Sequence, residues 1–133
     1  MSRFITASKA SSRSFSTTSP TASLVGSKPA TASEYHKLAR QLLQEEHYAE
    51  SIEQFTQALK LDPSYALAFN GRGYAHLRLK HYSEAIWDFG QAILLNPAYA
   101  NAYLNRSTAK RLSGDKSGAE ADQAKVRELT PQQ

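Results

Sequence analysis

Four histidines are the side chains best suited to acid–base or metal work, and their placement supports neither. His36, His47, His76 and His81 show no metal-ligand spacing, and no Gly-rich phosphate loop or nucleophile motif accompanies them. The absence of cysteine removes disulfides, thiolate metal sites and a cysteine nucleophile. The paired carboxylates Glu45 and Glu46 fall at a predicted helix end, where solvent accounts for them. His76 is expected to pack between helices. These residues predict no enzyme, no cofactor, no metal and no small-molecule substrate. The chemistry left is ionic. Arg72 and Asp88 are 16 residues apart, as are Arg106 and Asp122, and each arginine is expected to bridge two helices.

Those pairs recur because the chain recurs. A shift of 34 residues lays Tyr48, Glu50, Ile52, Phe55, Ala58, Leu61 and Pro63 on Tyr82, Glu84, Ile86, Phe89, Ala92, Leu95 and Pro97. A second shift carries Phe69 onto Tyr103, Arg72 onto Arg106, Asp88 onto Asp122 and Pro97 onto Pro131. A fixed period of this length predicts stacked two-helix units, each too small to bury its apolar face alone. Thr31 and Glu34 have capping-box spacing, so the first helix starts there and runs to about Glu45. Asp62-Pro63 and Asn96-Pro97 end the second and fourth helices, because the residue before proline disfavours helical geometry. Ser83 is read as the N-cap of the fourth helix. The others are expected from about Ala49 to Leu61, Tyr65 to Leu79, Tyr99 to Leu112 and Ser117 to Leu129.

Small residues stand where helices must approach: Ala39, Gly73 and Ser107 in first helices, Ser51, Ala85 and Ala119 in second ones. Tyr35, Phe69 and Tyr103, with Phe55 and Phe89, fill the gaps beside them. This pattern resembles the tetratricopeptide repeat family over about 100 residues. The resemblance implies an all-α fold, an α-α superhelix of three antiparallel helix pairs at 32–65, 66–99 and 100–131. The third copy departs from the pattern, with Glu120, Gln123 and Arg127 where the others have Ile, Phe and an aliphatic. Such residues suit a terminal unit with a polar outer face.

In that family the first helices line a concave groove and the second helices form the back. Here the first helices carry Lys37, Arg40, Arg72, Arg78, Arg106, Lys110 and Arg111 against Glu34 and Glu45, a surplus of +5. The second helices sum to −5. By analogy His36, Lys37, Arg40, Asn70, Tyr74, Arg78, Asn101, Asn105 and Arg111 face the groove. Donors dominate this set, which suits an acidic peptide or a free C-terminus. Some family members clamp acidic chaperone tails with two lysines, two asparagines and an arginine. Alignment by the terminal prolines puts His36, Arg40, Gly71, Asn101 and Asn105 at those places, none of them the clamp residue. That argues against the same clamp and leaves a different acidic ligand open.

Two other readings rest on other parts of the chain. Trp87 stands where the other units have Glu53 and Ala121, outside the repeated core, and could serve a self-associating scaffold through the array edges. Residues 1–31 contain Arg3, Lys9, Arg13 and Lys28 and no acid, so the net charge of +4 belongs to this segment. Its composition reads as a disordered Ser/Thr-rich tail or a transit peptide, and Arg13-Ser14-Phe15-Ser16-Thr17-Thr18 resembles the end of a mitochondrial presequence. Mitochondrial import and a cytoplasmic location are both compatible with this composition. The tail could also supply nonspecific phosphate contacts to nucleic acid, although the formally neutral repeat region offers no aromatic-basic platform. No apolar run approaches the roughly 18 residues of a membrane span, so a soluble, intracellular protein is expected.

Overall fold

The computed structural model describes residues 28–131, and the expectations for residues 1–27 lie outside them. Six helices follow one another: α1 (Ala32–Gln44), α2 (Tyr48–Leu61), α3 (Ala66–Arg78), α4 (Tyr82–Leu95), α5 (Ala100–Ser113) and α6 (Lys116–Leu129). The start of α1 is fixed by its capping box. Glu34 donates its backbone N–H to Thr31 Oγ1 at 3.1 Å, and Glu34 Oε1 accepts from the N–H groups of Ala30 and Thr31. Those two backbone donors hold the Glu34 carboxyl below its ordinary pKa. Helices α2 and α4 stop before Pro63 and Pro97. There Asp62 and Asn96 turn back to accept from the backbone N–H groups of Ser64 and Ala98.

Ser83 does not cap α4. The helix begins at Tyr82 with His81 at the N-cap, and Ser83 Oγ donates instead to Glu84 Oε1 at 3.1 Å. The cause is the turn before it. Lys80 adopts a left-handed φ of 65°, which brings the chain directly into helix two residues later. The same turn recurs at Glu46 (φ 64°) and Gly114 (φ 102°), so one backbone device joins the helices of every pair.

Each helix packs antiparallel on the next within its pair, and α2 on α3 and α4 on α5 join the pairs. The core is built from small and aromatic residues: Ala39, Phe55, Ala58, Ala68, Phe89, Ala92, Ala102 and Ala109 are fully buried. Close crossing of α1 and α2 lets Ser51 Oγ donate to the Ala39 carbonyl at 3.0 Å. The second and third pairs add the ionic bridges expected from the spacing. Arg72 Nε and Nη2 bond Asp88 at 2.9 and 2.8 Å, and Arg106 bonds Asp122 with the same two distances. These are bidentate forks on nearly buried carboxylates, the geometry in which a charged pair is strongest.

Among the described residues α6 is the last helix of the array. Glu120 and Arg127 are exposed and Gln123 is half-buried, whereas Phe55 and Phe89 at the place of Gln123 have no exposure at all. That surface is polar, as suits a terminal unit.

Candidate functional site

The side of the array opposite α2, α4 and α6 holds an open groove of about 450 Å³, lined from α1, α3 and α5. Its wall from α1 is His36, Arg40 and Leu43; α3 supplies Leu67, Asn70, Gly71 and Tyr74; α5 supplies Asn101 and Asn105. Phe55 of α2 forms part of the floor because position 71 is glycine. A Cβ there would collide with the Phe55 ring.

Polar contacts inside the groove are specific. Asn70 Nδ2 donates to Asn101 Oδ1 at 3.2 Å, and Asn105 Nδ2 donates to Asn70 Oδ1 at 3.2 Å and to Asn101 Oδ1 at 3.0 Å. The three amides therefore hold one another across the α3–α5 seam. The His36 ring lies against Tyr65 and Phe55, with centroids 4.9 and 5.7 Å away. Burial, and then the Arg40 charge, lower its pKa, which favours the neutral imidazole. Tyr99 closes one end, its phenol pKa raised by burial against the smaller opposing effects of Asn70 and Arg40.

Six of the nine residues expected to face the groove are brought together in it: His36, Arg40, Asn70, Tyr74, Asn101 and Asn105. Arg78 joins them at one end, donating from Nη1 to Tyr74 OH at 3.3 Å and lying 5.2 Å from the Tyr48 ring centroid. Lys37 does not line the groove itself but an adjoining cleft along α1, with Ser33, Gln41 and Gln44, that shares His36 and Arg40 with it. Arg111 is exposed in the last turn of α5 and lines neither surface.

The surplus of positive charge on first helices is also smaller at the surface than a sum by helix suggests. Arg72, Arg106 and Lys110 are turned toward Asp88 and Asp122, with Lys110 Nζ 3.2 Å from Asp122. Arg40 and Arg78 are the cations left at the groove. Leu43, Leu67 and Tyr99 line it without having been expected there. Tyr99 was legible as the counterpart of Tyr65, 34 residues earlier and beside His36.

A family profile described as tetratricopeptide repeat matches residues 36–103. The chain belongs to the tetratricopeptide repeat family. Among solved structures of such repeats, the second repeat domain of Spaghetti (RPAP3) bound to an HSP90 peptide, SRMEEVD, is 31% identical with a TM-score of 0.73. That match covers 74% of this chain and 92% of the other. The second repeat domain of human RPAP3, in complex with an HSP70 peptide, SGPTIEEVD, is also 31% identical, with a TM-score of 0.74 and coverage of 77% and 85%. The Arabidopsis OM64 repeat domain, 24% identical over 77% of this chain and 84% of its own, shares the fold at a TM-score of 0.74. No curated protein sequence matches the chain.

Proposed function

We propose that this chain is a non-catalytic protein-interaction adaptor whose groove holds an extended peptide bearing acidic residues or a free C-terminus. The observation that carries this reading is the groove lining. It contains Arg40 and three asparagines, is extended by Arg78, and has no aspartate or glutamate among the described residues. Carboxylates entering it meet donors and no like charge. The RPAP3 repeat domains at 31% identity, solved with peptides rich in glutamate and ending in aspartate, support a ligand of this class.

The family's five clamp places, His36, Arg40, Gly71, Asn101 and Asn105, all line the groove with other residues. Arg40 and Arg78 then take the charged role. Asn70, Asn101 and Asn105 offer the remaining amide donors and acceptors to the ligand, and His36 and Tyr74 pack along it. Lys37 and Arg111 act at longer range, by attracting the peptide rather than touching it.

Titration of the chain with acidic and neutral peptides tests this, beside an Arg40→Glu/Arg78→Glu variant of unchanged helicity. Acidic peptides should lose at least about tenfold in affinity with the double reversal and less than about threefold with Arg111→Glu. Equal binding of acidic and neutral peptides, or equal losses from the groove and Arg111 variants, would refute the reading.

A further inference from the structure

The opposite side of the array has its own departure from the repeat. Along the exposed face of α4, Trp87 and Leu94 are 56% and 74% exposed, seven residues and two helical turns apart. The matching positions of α2 are Glu53 and Lys60, both exposed, and those of α6 are Ala121 and Glu128. At these two positions the middle helix alone carries large apolar side chains; Leu61 at the end of α2 and Leu95 of α4 are exposed as well. Trp87 is held in place by an edge-on contact with Phe69, 6.1 Å between centroids. Glu53 and Lys60 have no salt-bridge partner among the described residues.

We infer that this face binds a second copy of the chain, with α4 packed antiparallel on α4 of the copy about a two-fold axis opposite Gly90 and Gln91. An isologous contact requires a surface complementary to itself, and this register supplies one. It sets each Trp87 against Leu94 of the other molecule. It also sets α2 over α2, and the same repeat offset places each Glu53 opposite Lys60 of the other molecule. One operation therefore matches apolar with apolar and acid with base. A parallel pairing would instead bring α2 over α6 and lose the charge match. Because α2, α4 and α6 form the outer layer, contact is centred on the middle helix. The buried area is small, the dimer is weak, and the groove on the other side stays open.

Sedimentation equilibrium of the full chain from about 1 μM to 1 mM tests the inference in the range expected of a small interface. A reversible monomer–dimer equilibrium is expected, abolished by Leu94→Glu. Glu53→Lys and Lys60→Glu alone should each weaken association about tenfold by setting like charges opposite one another, and the two combined should return it to within about threefold of the parent. All three positions are exposed, so circular dichroism should show parent-like helicity. A monomer at every concentration overturns the proposal, as does a dimer unaffected by Leu94→Glu or a double variant no better than the singles. Trp87 emission distinguishes another occupant. If it is already shielded in dilute monomer and becomes exposed in Arg3→Glu/Lys9→Glu/Arg13→Glu, the chain's own N-terminal segment covers the face and the proposal fails.

Discussion

The second and third helix pairs carry the same ionic bridge, each arginine 5.7 Å from an aromatic ring of its own helix, and differ in the apolar residues of their second helix. Arg72–Asp88 and Arg106–Asp122 repeat their bond lengths, yet Phe89 and Tyr82 of the second pair give way to Gln123 and Lys116 in the third. The carboxylate fork is internal to a pair, and only Arg72 adds a bond outside it, from Nη1 to Thr56 Oγ1 of the preceding pair at 3.1 Å. The apolar residues depend on a following helix: Phe89 packs with Ala109 of α5, whereas no helix follows α6 among the described residues. A repeat here is therefore two layers of specification, one that folds the pair and one that fits it into the row.

The comparison breaks most easily at the aromatic position. Phe89→Ala should cost about 3–5 kcal/mol, as for a fully buried aromatic, and Gln123→Ala at most about 0.5 kcal/mol by thermal or urea unfolding. Similar losses at both places would mean that α6 is packed like an interior helix. The bridges should differ next. Arg72→Leu strands a carboxylate that is 2% exposed and should cost about 3 kcal/mol, whereas Arg106→Leu leaves Lys110 3.2 Å from Asp122 and should cost about 1–2 kcal/mol. A double-mutant cycle with Lys110→Met would sharpen this, since removing both cations should bring the third pair up to the cost of the second. The smallest difference lies in the turns. Lys80→Gly should stabilise by about 0.5–1 kcal/mol and Gly114→Ala destabilise by about 1 kcal/mol, because only glycine accepts positive φ without a Cβ penalty. Equal and opposite shifts in melting temperature would confirm that the turn is the same device in both pairs.

Much of this was legible because the chain repeats itself. Six helices and their order followed from the 34-residue period, and the two bridges from arginines and aspartates that recur together and are lost together, as Leu38 and Gln54, in the first unit. The capping box at Thr31 and Glu34 needed only local chemistry. Where the repeat is silent, the reading slipped. Ser83 looked like a cap because serine favours that role, but the left-handed turn at Lys80 starts the helix before it. Summing charge by helix still counted Arg72 and Arg106, whose pairing was expected, and it could not tell that Lys110 also reaches Asp122, because that is decided by side-chain reach between helices. Helix membership grouped Lys37 and Arg111 with the groove, although a helix presents only one stripe to it: Lys37 lines the adjoining cleft that shares His36 and Arg40, and Arg111 lines neither.

Gly71 and Phe55 fix the shape of this groove together. Any side chain at position 71 must displace the ring of Phe55, and shrinking Phe55 while glycine remains leaves a hole in the core. Each change alone therefore costs packing in the floor, and the two positions should be coupled, with changes at 55 and 71 combining non-additively in stability. The shape of the groove floor is thus set jointly by a residue of α3 and one of α2, so a side chain added to the wall at position 71 would reshape the core beneath it.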